Sequence, residues 1–220
     1  MDWSGSIDAY CERTGPEFWA EPLNAVSNGA FLLAALSGAR LAWRDGDGWL
    51  GALAAIAATV GVGSFLFHTI ATRWAALADV APIAVFIGIS FALVLVRRMG
   101  LAPITAIVAT AAFLAASPFV SGVFAPLMGG SAGYAPALLA LLGFGLWLAL
   151  ADRPEATTLL TAAAVFGLSL SMRMADDPLC SLVPFGTHVF WHILNAVVLA
   201  LVLRAASRSS GVNRRQGGTW

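Results

Sequence analysis

Apolar runs of bilayer-crossing length follow one another along almost the whole of this 220-residue chain, at 22–43, 49–70, 75–96, 101–123, 134–151, 157–172 and 182–203. A transmembrane helix needs about 20 such residues, so little chain is left for a separate water-soluble domain. In lipid every backbone N–H and C=O must be satisfied within the protein, which restricts spanning structures to helices and closed barrels. Barrel strands are short, about 10 residues, and alternate in polarity. The runs here are continuous and rich in Ala and Leu. The expected fold is all-α, a seven-transmembrane helix bundle at 21–204, preceded by an acidic segment at 1–20 and followed by a polar, disordered tail at 205–220. Only 11% of residues are charged, against about a quarter in ordinary globular domains.

The basic residues are all arginines, twelve of them, and the segments between spans alternate in how many they carry. Arg40, Arg44, Arg97, Arg98, Arg153, Arg204, Arg208, Arg214 and Arg215 fall on one side, and Arg13, Arg73 and Arg173 on the other. The positive-inside rule then predicts the N-terminus outside and the C-terminus in the cytoplasm, which requires an odd number of spans. Residues 1–20 lack the apolar centre of a cleaved secretion signal, so they are expected to stay on the protein. A chain rich in alanine and without lysine points to a GC-rich bacterial genome, hence to a multi-pass protein of the bacterial inner membrane. Net charge is zero, so no global field attracts nucleic acid and none is expected as a partner. The sequence does not speak to oligomeric state.

Polar groups inside membrane spans are costly and usually functional. The chain has three histidines. His188 and His192 lie four apart in "GTHVFWHILNA" and so share a helix face. Ser64 and His68 have the same spacing in "GSFLFHTIATRWAALAD", and Asp79 follows at the start of the third span. With the N-terminus outside, the second span ends outside and the third and seventh begin there, so all five groups reach one depth near the outer face. Three imidazoles at one level make a metal site suited to zinc, with a fourth position open. Haem would need ligands on opposite sides of its ring, which His188 and His192 on one helix face cannot offer together, although either could pair with His68. A retinal Schiff base would need a lysine.

Three blocks, "YCERTGPEFWAEPLNAVSN", "GSFLFHTIATRWAALAD" and "GTHVFWHILNA", in this order and in a seven-span chain, resemble the alkaline ceramidase family. That family lies within the seven-transmembrane hydrolase superfamily that includes the adiponectin receptors. The resemblance implies a zinc-dependent hydrolase of the amide bond in ceramide-like or other N-acylated membrane lipids, with zinc on His68, His188 and His192. Ser64 matches the motif serine and Asp79 the motif aspartate. The resemblance also implies calcium in the acidic N-terminal segment, with Asp8, Glu12 and Glu21 as candidate ligands. At the motif aspartate two before Cys11 this chain has Ala9, with Asp8 adjacent.

The residues suggest roles consistent with that resemblance. Ser64, one turn before a ligand, is placed to donate to an oxyanion. Asp79 suits general acid/base work, with orientation of a ligand histidine as its alternative role. Asn24, Asn28 and Asn195 read as helix-contact hydrogen bonders. Cys11 and Cys180 both fall outside by the arginine count, where an oxidising compartment favours a disulfide. A different class of function stays open, a receptor or homeostasis protein in which the metal is structural.

Overall fold

The structure, a computed structural model, describes residues 2–208; the tail from 209 onward, expected to be disordered and carrying Arg214 and Arg215, lies outside the described residues. Among the described residues there is no strand. The helices are α1 (Pro22–Ser27), α2 (Gly29–Asp45), α3 (Gly48–Ile70), α4 (Arg73–Arg97), α5 (Pro103–Met128), α6 (Ala135–Leu150), α7 (Glu155–Ala175) and α8 (His188–Ala206). Six stretches are long and apolar enough to cross a membrane, and one of them, Pro103–Leu150, has 48 residues, roughly twice what a crossing needs. A 3-10 turn at Gly129–Tyr134 divides it into α5 and α6. Gly129 enters that turn at φ +50°, a conformation glycine adopts without strain. The outcome is an all-helical bundle compatible with a multi-pass membrane protein.

Several boundaries depart from the sequence expectation. The first span is divided at Asn28, whose side chain turns back to donate to the Asn24 carbonyl at 2.8 Å. The sixth, expected over 157–172, is the 21-residue α7. The last begins at His188 rather than at 182, because Pro184 lacks an N–H and Gly186 takes φ +71°. The segment between the fourth and fifth expected spans ends in the 3-10 turn, with Ser131 and Ala132 buried.

Small residues set the closest helix crossings, as in membrane bundles generally. A Cβ at Gly63 of α3 would overlap the Ala78 carbonyl oxygen of α4. That carbonyl is the one Pro82 leaves without its helical donor, since proline has no N–H for the residue four before it. The crossing therefore joins the residues that precede Ser64 and Asp79. Phe31, Leu50, Leu53, Val60, Phe166 and Leu203 fill the centre of the bundle. Outward faces carry Leu33, Phe119 and Leu127, each at least 70% exposed. Exposed to water, each would forfeit about 1.5–3 kcal/mol, whereas lipid accepts them. Trp43, Trp49 and Trp147 are exposed at one end of the bundle and Trp3, Trp19 and Trp74 at the other, as two interfacial aromatic belts would be.

The two ends differ in chemistry. At the Trp43 end, Asp47 accepts the Leu50 N–H at 3.2 Å and pairs with Arg97 at 2.6 and 2.9 Å. Burial works against ionising Asp47, but the Arg97 guanidinium and the Leu50 N–H outweigh it and hold the carboxyl below its ordinary range. Arg98 pairs with buried Glu155 at 2.9 Å and donates to the carbonyls of Ala205 (2.7 Å) and Ser207. Together with the Arg97 bond to the Ala206 carbonyl, these satisfy carbonyls that the end of α8 would otherwise leave open. At the opposite end the N-terminal segment folds across the bundle. The Ile7 N–H reaches the Ala71 carbonyl at 2.7 Å and the Arg73 N–H the Gly5 carbonyl at 3.1 Å. A disulfide joins Cys11 to Cys180 across 169 residues of sequence, tying the segment to the loop before α8.

Candidate metal centre

His68 stands in the last turn of α3 and His188 and His192 in the first turns of α8. Their ring centroids are 4.6 to 5.2 Å apart, and one ligand atom from each lies within 4.8 Å of the others. All three rings are about 1% exposed.

Two of the rings are held by side chains that determine which nitrogen is left over. Glu21 Oε2 accepts from His68 Nδ1 at 2.6 Å, which leaves the Nε2 lone pair unengaged. Ser27 Oγ spends its proton on the Asn24 carbonyl at 2.9 Å and so accepts from His192 Nδ1 at 2.8 Å, again leaving Nε2. His188 is fixed through its backbone. Asp176 accepts the N–H groups of Thr187 and His188 at 2.7 and 2.9 Å, capping the start of α8, while its other oxygen takes the Cys11 N–H at 3.0 Å. Gly186 makes room for that carboxylate, which a Cβ would strike. The result is three buried ring nitrogens, His68 Nε2, His192 Nε2 and His188 Nδ1, with no hydrogen-bond partner in the protein. Orphaned buried acceptors are rare because each costs on the order of 1–3 kcal/mol. One nitrogen of each ring lies within 4.8 Å of those of the other two, an arrangement that could hold a metal ion, and the residues present fit one.

Asp79, half-buried on α4, accepts a hydrogen bond from the Ser64 hydroxyl, and His68 and Arg173 act on its charge. The serine and aspartate singled out from sequence are thus brought together beside a ligand histidine. The structure shows these contacts for the acidic residues expected to bind calcium. Both Glu12 oxygens accept backbone N–H groups of α1, from Leu23 and Asn24 at 2.7 Å each. Glu21 orients His68 and also accepts from Arg13 Nε at 2.5 Å and Asn24 Nδ2 at 3.1 Å. Asp8 is exposed. Among the described residues the histidines alone form a convergent group of three His, Cys, Asp or Glu. The cation that sits among the oxygens of Glu21, Gly15 and His68 is the Arg13 guanidinium.

Burial opposes ionisation of Glu21, but His68, Asn24 and Arg13 outweigh it and hold the carboxyl below its ordinary range. Glu21 therefore stays charged and holds His68 in one tautomer. Glu21→Gln is expected to weaken metal affinity roughly 10- to 100-fold, read by competition with a chromogenic chelator; unchanged affinity would remove Glu21 from this role.

Sequence reasoning missed an aromatic cluster beside the metal ligands. Tyr10 stacks on His188 with centroids 3.6 Å apart, and Tyr134 packs on Trp191 at 4.9 Å. Arg173 lies over Tyr10, Tyr134 and Trp191, 5.7 Å from each centroid. Beneath Tyr134 an apolar cleft runs between α4, α6 and α8, lined by Ile87, Phe91, Leu141, Phe144, Asn195 and Leu199. Its wall on α4, from Ile83 to Val94, is about 16 Å long at 1.5 Å per residue. The one available signal was the rarity of a tyrosine or arginine in such apolar surroundings. No protein-family model matches the chain, and no curated protein matches it.

Proposed function

We propose that this protein is an intramembrane, zinc-dependent amide hydrolase, which uses water to split an N-acylated lipid into a fatty acid and an amine. The observation that carries the reading is the convergence of three partnerless imidazole nitrogens beside a carboxylate and a hydroxyl. Nitrogen donors of this kind and number suit zinc with an open fourth position. When bound there, such an ion makes water nucleophilic near neutral pH and polarises a carbonyl.

The remaining steps belong to the chain itself. Asp79 takes the proton from the attacking water and returns it to the departing amine nitrogen, so that water is consumed and no proton is lost. Ser64 donates to the oxygen that gains charge as the amide carbonyl becomes tetrahedral. Glu21, Ser27 and Asp176 keep the three imidazoles in place. The N-terminal segment, clamped by the Cys11–Cys180 disulfide, limits the access of bulk water. A lipid substrate is supported by the apolar cleft, which begins at Tyr134 beside the site and can take an acyl chain. In the membrane, with the N-terminus outside, the site would lie near the outer interface, where a lipid amide sits.

The test is metal analysis of the purified protein, followed by fatty-acid release from a panel of N-acyl lipids. Asp79→Asn is expected to keep its metal and lose about 10²- to 10⁴-fold in kcat, the usual worth of general acid/base catalysis. Full metal content with no turnover of any N-acyl lipid would overturn the hydrolase reading and leave a structural metal, as a receptor would use.

A further inference from the structure

Arg173 differs from the other buried arginines. Arg13, Arg97 and Arg98 each face a carboxylate, at 2.5, 2.6 and 2.9 Å. Among the described residues no carboxylate lies within ion-pairing distance of Arg173. Its Nε is buried and has no partner, and one terminal nitrogen makes a long 3.5 Å bond to Ser131 Oγ. Tyr134 shares a hydrogen bond with the guanidinium, and aromatic rings surround the rest of the group. Cation–π contacts return only about 0.5–2 kcal/mol each, less than desolvating a guanidinium costs. Asp79 acts on this cation electrostatically but forms no ion pair with it, so the buried Nε side is left for an anion that a ligand would bring.

The position says where that anion would come from. Tyr10 and Trp191 each touch both Arg173 and His188, so the guanidinium sits one aromatic ring away from the metal ligands. Tyr134 joins the same cluster to the apolar cleft. A lipid with its chain in the cleft and its amide at the histidines would bring the first groups beyond the amide nitrogen to Arg173. The Tyr10 side chain, whose ring lies 5.7 Å from Arg173 Cζ, adds a phenolic hydrogen-bond donor to the same cluster. One guanidinium fork beside a tyrosine matches one planar, singly charged acceptor, since Arg pairs with carboxylates through two parallel N–H bonds.

Resting on the hydrolase reading, we infer that Arg173 is the specificity-determining residue of this site. It selects amphiphiles whose head group bears a carboxylate close to the amide, as in N-acyl amino acids, over neutral N-acyl amines.

The experiment uses the full-length, metal-loaded protein in nanodiscs of zwitterionic lipid, with N-lauroylglycine and N-lauroylethanolamine as matched probes. For the wild type, kcat/KM should favour the glycine conjugate by about tenfold or more, in line with a charge-assisted hydrogen bond. In Arg173→Gln the KM for N-lauroylglycine should rise roughly 10- to 100-fold, and Arg173→Lys should recover part of that loss because the charge is kept without the fork. Metal content equal to wild type certifies that both variants are folded. Equilibrium binding of the two probes to Asp79→Asn separates the two readings. Carboxylate-selective, Arg173-dependent binding without turnover in the wild type would sink the hydrolase reading and leave this one standing. Equal binding of both probes, equal losses in Arg173→Gln, or tighter binding of N-lauroylphosphoethanolamine than of the glycine conjugate would overturn the carboxylate assignment.

Discussion

His192→Ala is expected to leave the purified protein without stoichiometric metal and its amide hydrolysis at background. The ring occupies a buried position where Ser27 Oγ takes its Nδ1 proton at 2.8 Å and Nε2 has no other partner. Alanine removes one of three ligands and leaves two, too few for the site that a structural or catalytic zinc requires. The metal's share in charge stabilisation is several kcal/mol, so the loss should reach about 10³-fold or more. Stability should fall as well. A ligand bound only to the native state at 1,000 times its dissociation constant contributes about 4 kcal/mol, so chelation of the wild type and this substitution should lower the melting temperature together. Inductively coupled plasma mass spectrometry and thermal unfolding in detergent check both effects. A His192→Ala protein with full metal content would show that the convergence of the three rings is not a metal site.

The second large effect is structural and lies at the other end of the bundle. Arg98→Met is expected to destabilise the protein by about 3–5 kcal/mol, the usual result of removing one partner of a buried ion pair. Glu155, 3% exposed, would lose its 2.9 Å partner and keep, among the described residues, only Arg153, at 4.0 Å. The carbonyls of Ala205 and Ser207 at the end of α8 would lose their donor. Replacing both members, Arg98→Met with Glu155→Leu, should recover part of the loss, because the uncompensated charge is then gone. Unfolding curves of the single and double variants give the coupling. A single-variant cost below about 1 kcal/mol would place the pair among solvated ones, which contribute little. Metal content should not change in either variant, since the pair is remote from the histidines.

Arg98 also illustrates what a linear reading of arginines leaves out. Counting arginines assigned Arg97 and Arg98 to one side and Arg13 and Arg173 to the other. The count registers charge per segment and says nothing about where a flexible side chain ends. In the folded chain Arg97 and Arg98 cross-link helix ends, Arg13 bridges Glu21 to two carbonyls, and Arg173 lies in an aromatic cluster. Glu21 shows the same limit. Its sequence neighbourhood pointed to a hard cation, whereas its partner in space, 47 residues away, is His68. The order of the helices and the level shared by His68, His188 and His192 were legible, because hydrophobic run length and the four-residue spacing are local properties.

What the sequence determined by itself is the all-helical bundle and the identity of the three histidines. Long apolar runs can satisfy their backbone only as helices, and a costly imidazole within such a run is conspicuous. Only the tertiary structure decided which nitrogen each ring presents and which charge stands beside it. Those depend on Ser27 and Glu21 accepting from rings 165 and 47 residues distant. They depend also on Gly63 letting α3 meet α4 at the Ala78 carbonyl that Pro82 leaves open. Hydrogen-bond geometry is set over about 3 Å in space, and no periodicity along the chain encodes a distance between residues that only folding brings together.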